Sequence, residues 1–267
     1  MQTTRVRRFA RGFALAAAAY LLVAYLVLPA CWRHYEHLPA MERLPKVTRA
    51  PDGLPADPLN VALVGAGADV HRAFAAAGWS PADPLTLRSA LAIAAGVVFR
   101  RPDPRAPVST LLLFGRPQDL AFEKDVGGSP RARHHARFWR TDVQAAGARP
   151  VWVGAATFDR SVGVSRTTGQ ITHHIAPDVD AERDGLVRDL ETAGRLTTLY
   201  HVTGVGPTLN GRNAGGDRWF TDGELAVAVL APDGTPGARP VPVLPSPAPI
   251  VVKNQLWAWL RPALAGR

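Results

Sequence analysis

The sequence predicts an α+β fold, in which a mostly antiparallel sheet packs with a few helices and follows one N-terminal transmembrane helix. Three observations predict this class. Residues 13–32 are apolar and carry no charge, residues 111–160 contain several short strand-like runs, and residues 179–193 repeat apolar side chains at helical spacing. Hairpins therefore dominate the middle of the chain, which favours α+β over a parallel α/β sheet.

The individual elements follow from the same periodicities. Val70, Phe74 and Ala77 recur at helical spacing, with Asp69 as a cap and Gly78 at the end. The other predicted helices are Leu85–Phe99 and Val179–Ala193. The predicted strands are Asn60–Val64, Leu111–Gly115, Asp119–Val126, Arg131–Thr141, Val151–Arg160, Leu196–Val202 and Glu224–Leu230.

Composition divides the chain into five parts. They are a basic cytoplasmic N-terminus (1–12), a transmembrane anchor (13–32), a proline-rich linker (33–58), a globular domain (59–230) and a proline-rich tail (231–267). Within the tail we predict a short interfacial helix, Ile250–Leu260, because its Trp257 and Trp259 are typical of the membrane–water interface.

The apolar run is long enough to cross a membrane, since twenty helical residues span about 30 Å. Four arginines between residues 5 and 11 precede it, whereas its far flank mixes both signs. This bias predicts a single-pass protein with a cytoplasmic N-terminus and a domain exported into the bacterial envelope, held by an uncleaved signal anchor. Two alternatives remain open, a cleaved signal peptide and a lipoprotein modified at Cys31, because Leu28-Pro29-Ala30-Cys31 resembles a lipobox.

Composition also excludes several classes of function. The net charge is +9, but four of the 31 basic residues belong to the N-terminal cluster and no long Lys/Arg run exists. We therefore expect no nucleic-acid partner. Cys31 is the only cysteine, which excludes an internal disulfide and a cysteine-based zinc site.

The hairpin of residues 119–141 carries one row of acidic and one row of basic side chains. Pairing Asp125 with Arg131 sets Glu123 opposite Arg133, and the apolar face agrees with this register. We interpret the two rows as a solvated ladder of ion pairs. The alternative interpretation is that the basic row binds an anion.

Histidines occur as two adjacent pairs, 134–135 and 173–174. Neighbours on a strand point to opposite faces, so we predict that His134 and His173 face inward while His135 and His174 face the other way. Because no HExxH spacing is present, we favour the interpretation that these histidines are structural. A metal site is the alternative. The candidate metal ligands are His134, His173, His201 and Asp159, and the candidate catalytic residues are His135, His174 and Asp178.

Residues 204–224 predict an irregular, glycine-rich loop and the main candidate for ligand binding. Arginine forks match phosphate oxygens, and glycine lets backbone N–H groups approach the same ligand. The alternative is that the arginines pair with acids of the same loop, Asp217, Asp222 or Glu224, and only pin a turn. The candidate ligand-binding residues are Arg212, Arg218, Asn210 and Asn213.

Two familiar motifs are incomplete. Residues 61–70 read VALVGAGADV, with Val70 where a dinucleotide-binding turn needs its third glycine. Membrane lipid phosphatases of the phosphatidic-acid phosphatase type 2 class require Lys-x6-Arg-Pro and Ser-Gly-His. Here Ala132 follows Arg131, and no Ser-Gly-His occurs.

Five segments carry a resemblance to a known family: DLAFE at 119–123, RHHxRFW at 133–139, VGAATFD at 153–159, GQITHHI at 169–175 and NGRN at 210–213. Together they make the run from Pro58 to Leu230 resemble the LssY C-terminal-domain family. The resemblance implies a domain that elsewhere is attached to multi-helix membrane proteins, including lipid-phosphatase-like ones. It assigns no catalytic residue.

These observations predict a membrane-anchored binding or accessory domain acting near anionic lipid or envelope phosphate groups. One alternative is a phosphoester hydrolase, metal-assisted in one version, that uses His135, His174 and Asp178 with the Arg212 loop. Another is a structural partner of other membrane proteins. The sequence specifies no cofactor.

Overall fold

The computed structural model describes residues 2–27, 41, 44–82, 110–127, 132–167, 169, 171–203 and 209–265. The helices in these ranges are α1 (Gln2–Leu22), α2 (Gly67–Ala76), α3 (Val179–Thr192) and α4 (Ala248–Ala265). The strands up to residue 125 are β1 (Val47–Arg49), β2 (Pro55–Pro58), β3 (Val61–Val64), β4 (Ser80–Pro81), β5 (Leu112–Leu113), β6 (Arg116–Pro117) and β7 (Leu120–Asp125). The later strands are β8 (Arg133–Ala145), β9 (Arg149–Val164), β10 (Ile171–Ile175), β11 (Leu196–Thr203), β12 (Asn210–Arg212), β13 (Arg218–Phe220) and β14 (Glu224–Leu230). The predicted helix Leu85–Phe99 and the lipobox at Cys31 lie outside the described residues.

The N-terminal helix is the one described helix that is long and apolar enough to cross a membrane. Residues Arg5–Val27, which comprise most of α1 and the π-helical turn after it, contain an 18-residue window that has a mean hydropathy of 1.8 and is not buried in the protein. Twenty-three residues at about 1.5 Å each exceed the thickness of a bilayer core. An N-terminal signal sequence has the same character, so the helix indicates a membrane segment without deciding its orientation.

A large mixed sheet forms the centre of the domain. Its strand order is β11-β14-β3-β9-β8-β7-β4, with β10 paired to the far end of β9. Only the β14–β3 contact is parallel among these pairings. A smaller sheet of order β2-β1-β5-β6 and a two-stranded ribbon of β12 and β13 complete it. The predicted α+β class with mostly antiparallel pairing is therefore confirmed.

Two apolar cores lie on opposite faces of the large sheet. On one face α2 and α3 pack against the sheet, with Phe74, Phe122 and Leu190 at most 1% exposed. On the other face Trp139 and Val153, both fully buried, pack with residues of the small sheet. The two-residue period of the strands sends alternate side chains into the two cores.

The helices packed on the sheet begin and end near the predicted residues. Asp69 lies in the first turn of α2 and accepts the Ala66 N–H at 3.2 Å, so it closes that end from inside the helix rather than from the cap position. Gly78, at φ +79°, follows the end of α2. Asp178 caps α3 by accepting the Ala181 N–H at 3.1 Å.

The β7–β8 hairpin pairs in a register shifted by two residues from the predicted one. Asp125 lies opposite Arg133, and Glu123 lies opposite His135 rather than Arg133. A two-residue shift keeps every side chain on its predicted face, so alternation alone cannot separate the two registers. The prediction of a solvated ladder is also wrong, because Glu123, Arg133 and His135 are each at most 4% exposed.

Two predicted irregular segments contain packed structure. Within the predicted linker, β1 and β2 join the small sheet and Thr48 is fully buried. Within the predicted tail, Val241 enters the helix-side core and α4 covers the start of β14. Proline content indicates poor regular structure, but proline is compatible with short edge strands such as β2.

Candidate functional site

A buried group of charged and polar side chains lies on the sheet face away from the helices. We call it the polar centre; it consists of Asp57, Glu123, Arg133, His135, Arg137, Thr157, Asp159 and His173. All but His173 are at most 6% exposed. The β8–β9 register brings the members together, since His135 lies opposite Thr157 and Arg133 lies opposite Asp159.

Ion pairs connect the members of the polar centre across several strands. Arg133 Nη1 lies 3.1 Å from Glu123 Oε2, and Arg137 Nη1 lies 3.3 Å from Asp57 Oδ2 in the small sheet. The second pair therefore joins the two sheets through a buried contact. Buried charges of this kind require their partners, because an isolated one is costly to remove from water.

One histidine from each adjacent pair converges on Asp159. The carboxylate Oδ2 lies 2.9 Å from His135 Nε2, outside hydrogen-bond geometry, and 3.9 Å from His173 Nδ1. Burial alone would raise the pKa of Asp159, but His135, His173 and Arg137 outweigh it and bring that pKa to about 2. Burial lowers the pKa of His173, with Asp159 opposing only in part.

Three buried polar atoms of the directly opposed residues His135 and Thr157 have no hydrogen-bond partner in the described part of the chain. They are Nδ1 of His135, Nε2 of His135 beside Asp159, and Oγ1 of Thr157. A buried polar atom without a partner is unusual, and it marks a position where water or a ligand group would be accommodated.

The histidine pairs split across the sheet as predicted, but their grouping differs. His135 joins His173, whereas His134 faces α3 and places Nδ1 2.8 Å from Glu182 Oε2. His174 places Nδ1 2.9 Å from Asp217 Oδ1. Among the described residues, no three His, Cys, Asp or Glu side chains form a group that could hold a metal ion.

Two further candidates lie apart from the polar centre. Asp178, a candidate catalytic acid, caps α3 and accepts Arg261 Nε at 2.6 Å. His201, a candidate metal ligand, lies on β11 near Arg183, Glu224 and Asp222, and burial lowers its pKa. Neither belongs to the polar centre.

The candidate ligand-binding residues lie on the ribbon and its turn. Arg212 and Arg218 are directly opposite each other across the ribbon, so their side chains share a face. The turn between them closes on Asn213, whose Oδ1 accepts the Asp217 N–H at 2.9 Å and whose backbone oxygen accepts the Gly216 N–H. Asn213 therefore shapes the turn instead of presenting a free amide oxygen.

Both members of this arginine pair, Arg212 and Arg218, are exposed and lack an acidic partner among the described residues. Arg212 donates to the Gly216 carbonyl at 2.7 Å, and the neighbouring Asn210 is also exposed. The acids expected to pin the turn bind elsewhere: Asp217 contacts His174, Asp222 contacts Arg183 and Glu224 contacts Asn254. The alternative prediction, that these acids pair with the two arginines and hold the turn, is therefore wrong.

A third exposed arginine lies beside this turn and was missed in the sequence. The Arg166 N–H donates to the Gly215 carbonyl at 3.0 Å, which places the β9–β10 turn against the ribbon turn. Gly216, at φ +85°, permits the approach, because a Cβ there would lie 2.9 Å from Arg166 Cβ. Nothing in the local sequence signals this contact between residues fifty positions apart.

Strand β10 links the polar centre to the arginine pair. His173 faces Asp159, while the adjacent His174 faces Asp217 in the ribbon turn. Asp217 is 2% exposed and also accepts the Ile175 N–H at 3.2 Å. The glycine-rich loop thus meets His174 of strand β10, and the adjacent His173 meets Asp159 and His135 of the polar centre.

Comparison with curated proteins and with solved structures finds no match to this chain. Comparison with family models finds one that covers residues 41–225, described as the LssY C-terminus. The match includes the small sheet, the polar centre and the arginine pair, and it extends over more than half of the chain. The chain therefore belongs to the LssY C-terminal-domain family.

Proposed function

We propose that this chain is a membrane-anchored module that binds phosphate-bearing anions, in lipid headgroups or other envelope phosphates, through Arg212 and Arg218. The observation that carries the proposal is the arginine pair itself, two exposed guanidinium groups opposed across a ribbon with no described acidic partner. Like charges in that position destabilise a strand pair, and a bound anion removes the repulsion.

The surroundings of the pair support an anion as the ligand. Arg166 adds a third exposed positive charge from the adjoining turn, and Asn210 offers a neutral donor beside Arg212. Arginine forks bind phosphate oxygens two at a time, so two opposed arginines suit a tetrahedral anion better than a planar carboxylate.

The binding test compares two variants with the same change in net charge. Inorganic phosphate is titrated into the detergent-solubilised full chain, its Arg212→Ala/Arg218→Ala variant and an Arg140→Ala/Arg188→Ala control. The control removes two exposed arginines from β8 and α3. We expect the first variant to lose about tenfold or more in affinity, and the control to bind like the native chain. Equal affinity of all three proteins would refute the proposal.

The orientation of the anchor belongs to the same proposal. Four arginines between residues 5 and 11 precede the apolar run, which favours a cytoplasmic N-terminus and an exported domain held by a signal anchor in a bacterial envelope. A reporter active only outside the cytoplasm is fused after Arg267, since residues up to 265 include packed structure. We expect activity; a stable but inactive fusion would reverse the orientation.

A phosphoester hydrolase is the second candidate function, and the convergence of His135 and His173 on Asp159 favours it. A histidine beside a carboxylate is a common general acid–base arrangement. Hydrolysis of a chromogenic phosphomonoester and phosphodiester is measured with the native chain and with His173→Ala, with and without divalent cations. Turnover that His173→Ala abolishes would support the hydrolase, and no turnover in any condition would exclude it for these substrates.

A further inference from the structure

Helix α4 has two distinct faces, and one of them holds it to the domain. Lys253 Nζ donates to the Asp222 carbonyl at 2.7 Å, and Arg261 Nε donates to Asp178 Oδ2 at 2.6 Å. Between them, the Trp257 ring lies 6.4 Å from the Phe220 ring in an edge-to-face contact. The spacing of 253, 257 and 261 places these contacts on one side of the helix.

A second face of α4 is apolar and exposed. Val252 is 54% exposed, Leu256 is 59% exposed and Trp259 is 78% exposed, and their spacing again defines one face. Apolar side chains gathered in this way on a helix surface mark an interaction site. Tryptophan in particular is enriched where one side of a surface is apolar and the other is wet.

A bilayer surface is the occupant that the rest of the molecule favours. The same chain carries the apolar helix α1, which is long enough to cross a membrane. Helix α4 has no acidic residue, and its Lys253 and Arg261 make it amphipathic rather than uniformly apolar. Helices that lie in the plane of the membrane interface likewise combine an apolar face with basic side chains.

The arginine pair lies on the side of the domain that α4 covers. Arg218 and Phe220 are two residues apart on β13 and therefore lie on the same face of the ribbon. Phe220 contacts Trp257 of α4. The two positions are separated by about 7 Å along the strand. The positive charge of Arg218 therefore lies close to the contact between the ribbon and α4, and it complements an anionic lipid surface.

We propose that α4 lies in the headgroup region of an anionic bilayer, with Val252, Leu256 and Trp259 directed toward the acyl chains. In this position Arg212 and Arg218 contact lipid phosphates. The contact between the two arginines and lipid phosphate rests on the proposed function. The contact between α4 and lipid does not, because it is measured separately from anion binding.

The experiment places one environment-sensitive fluorophore on the full chain. Cys31 is the only cysteine, so a Cys31→Ser background accepts a single label at Leu256→Cys or, as a control, at Glu191→Cys on the exposed end of α3. Both proteins are reconstituted into phosphatidylcholine vesicles with and without phosphatidylglycerol, in plain and in acyl-brominated lipid. We expect the label at 256 to emit at shorter wavelength and to lose intensity in brominated lipid, more so with phosphatidylglycerol.

The emission and quenching results distinguish a bilayer from a protein partner on the apolar face of α4. Water-like emission at both 256 and 191 would overturn the proposal, and so would a shifted emission at 256 that bromine leaves unchanged, because a protein partner or a second copy would then cover α4. Adding Arg212→Ala/Arg218→Ala to the labelled chain should remove the dependence on phosphatidylglycerol while keeping bromine quenching. If the arginine pair fails to bind inorganic phosphate, the anion site is wrong, yet bromine quenching at 256 still reports on α4.

Discussion

The two arginine groups of this domain differ in their exposure and in the acidic side chains that surround them. Arg133 and Arg137 lie in the polar centre, each at most 5% exposed and each within 3.3 Å of a carboxylate. Arg212 and Arg218 lie in the open on a short ribbon, with no described acid beside them. A row of arginines in a sequence therefore does not indicate a ligand site until its carboxylates are located in three dimensions. The buried group joins neighbouring strands and the two sheets through ion pairs, and the exposed group has no described carboxylate beside it.

Removing a buried arginine should have the largest effect. Arg133→Ala leaves Glu123 buried without the guanidinium that pairs with it, which costs about 3–5 kcal/mol. Chemical denaturation of the solubilised full chain measures the loss in the free energy of unfolding. Arg218→Ala is the matched exposed change and should stay within about 0.5 kcal/mol of the native chain. Equal losses in the two variants would erase the distinction between the groups.

The polar centre should also make stability depend on pH through His173. Burial lowers the pKa of His173 below its usual 6.5, so below that pH the unfolded chain takes up a proton that the folded chain does not. Stability from this group is therefore present above 6.5 and decreases as the pH falls from 6.5 to the lowered folded value. His173→Gln should remove that decrease.

The measurement is the difference in unfolding free energy between the native chain and His173→Gln across pH 5 to 8. The difference is needed because Asp180 also titrates in this range. Burial raises the pKa of Asp180 to about 6, so its contribution to the unfolding free energy increases as the pH falls, and it cancels between the two proteins. A difference that does not change with pH would contradict the predicted role of His173.

Reversing one exposed charge should have the smallest effect on stability and a large effect on binding. Arg218→Glu replaces a like-charge pair with an opposite-charge pair across the ribbon, which should stabilise it by about 0.2–1 kcal/mol. The same change should abolish phosphate binding. Thermal unfolding and phosphate titration of one preparation test both parts, and a destabilised variant would show that the two side chains do not face each other in solution.

Periodicity was sufficient to place single elements along the chain. The strand Glu224–Leu230 and the start of α3 at Val179 follow from it directly. The polar centre could not be predicted in the same way, because Arg137 pairs with Asp57 eighty residues earlier and His135 meets Asp159 on the next strand. A two-residue period gives the face of each side chain but not the strand that lies beside it. For this reason the sequence predicted an exposed ladder where the structure has a buried network.

The proposed anion site could be partly predicted for the opposite reason. Arg212, Arg218 and Asn210 lie close together in the sequence and share one ribbon, so local composition was enough to group them as candidates. Arg166 reaches the same surface only through a contact between two turns. Loop–loop contacts of this kind have no periodic signal.

The parallel pairing of β3 with β14 determines the order in which this domain is able to fold. Val61 is paired with Gly154 on one side and with Ala226 on the other. Contacts this distant in sequence close late and slow the folding reaction. While the chain is still being synthesised, the apolar strand Val61–Val64 therefore has one unpaired edge until Glu224–Leu230 arrives. An open apolar edge invites strands from other chains, so the interval before β14 is made is when this protein is most exposed to aggregation.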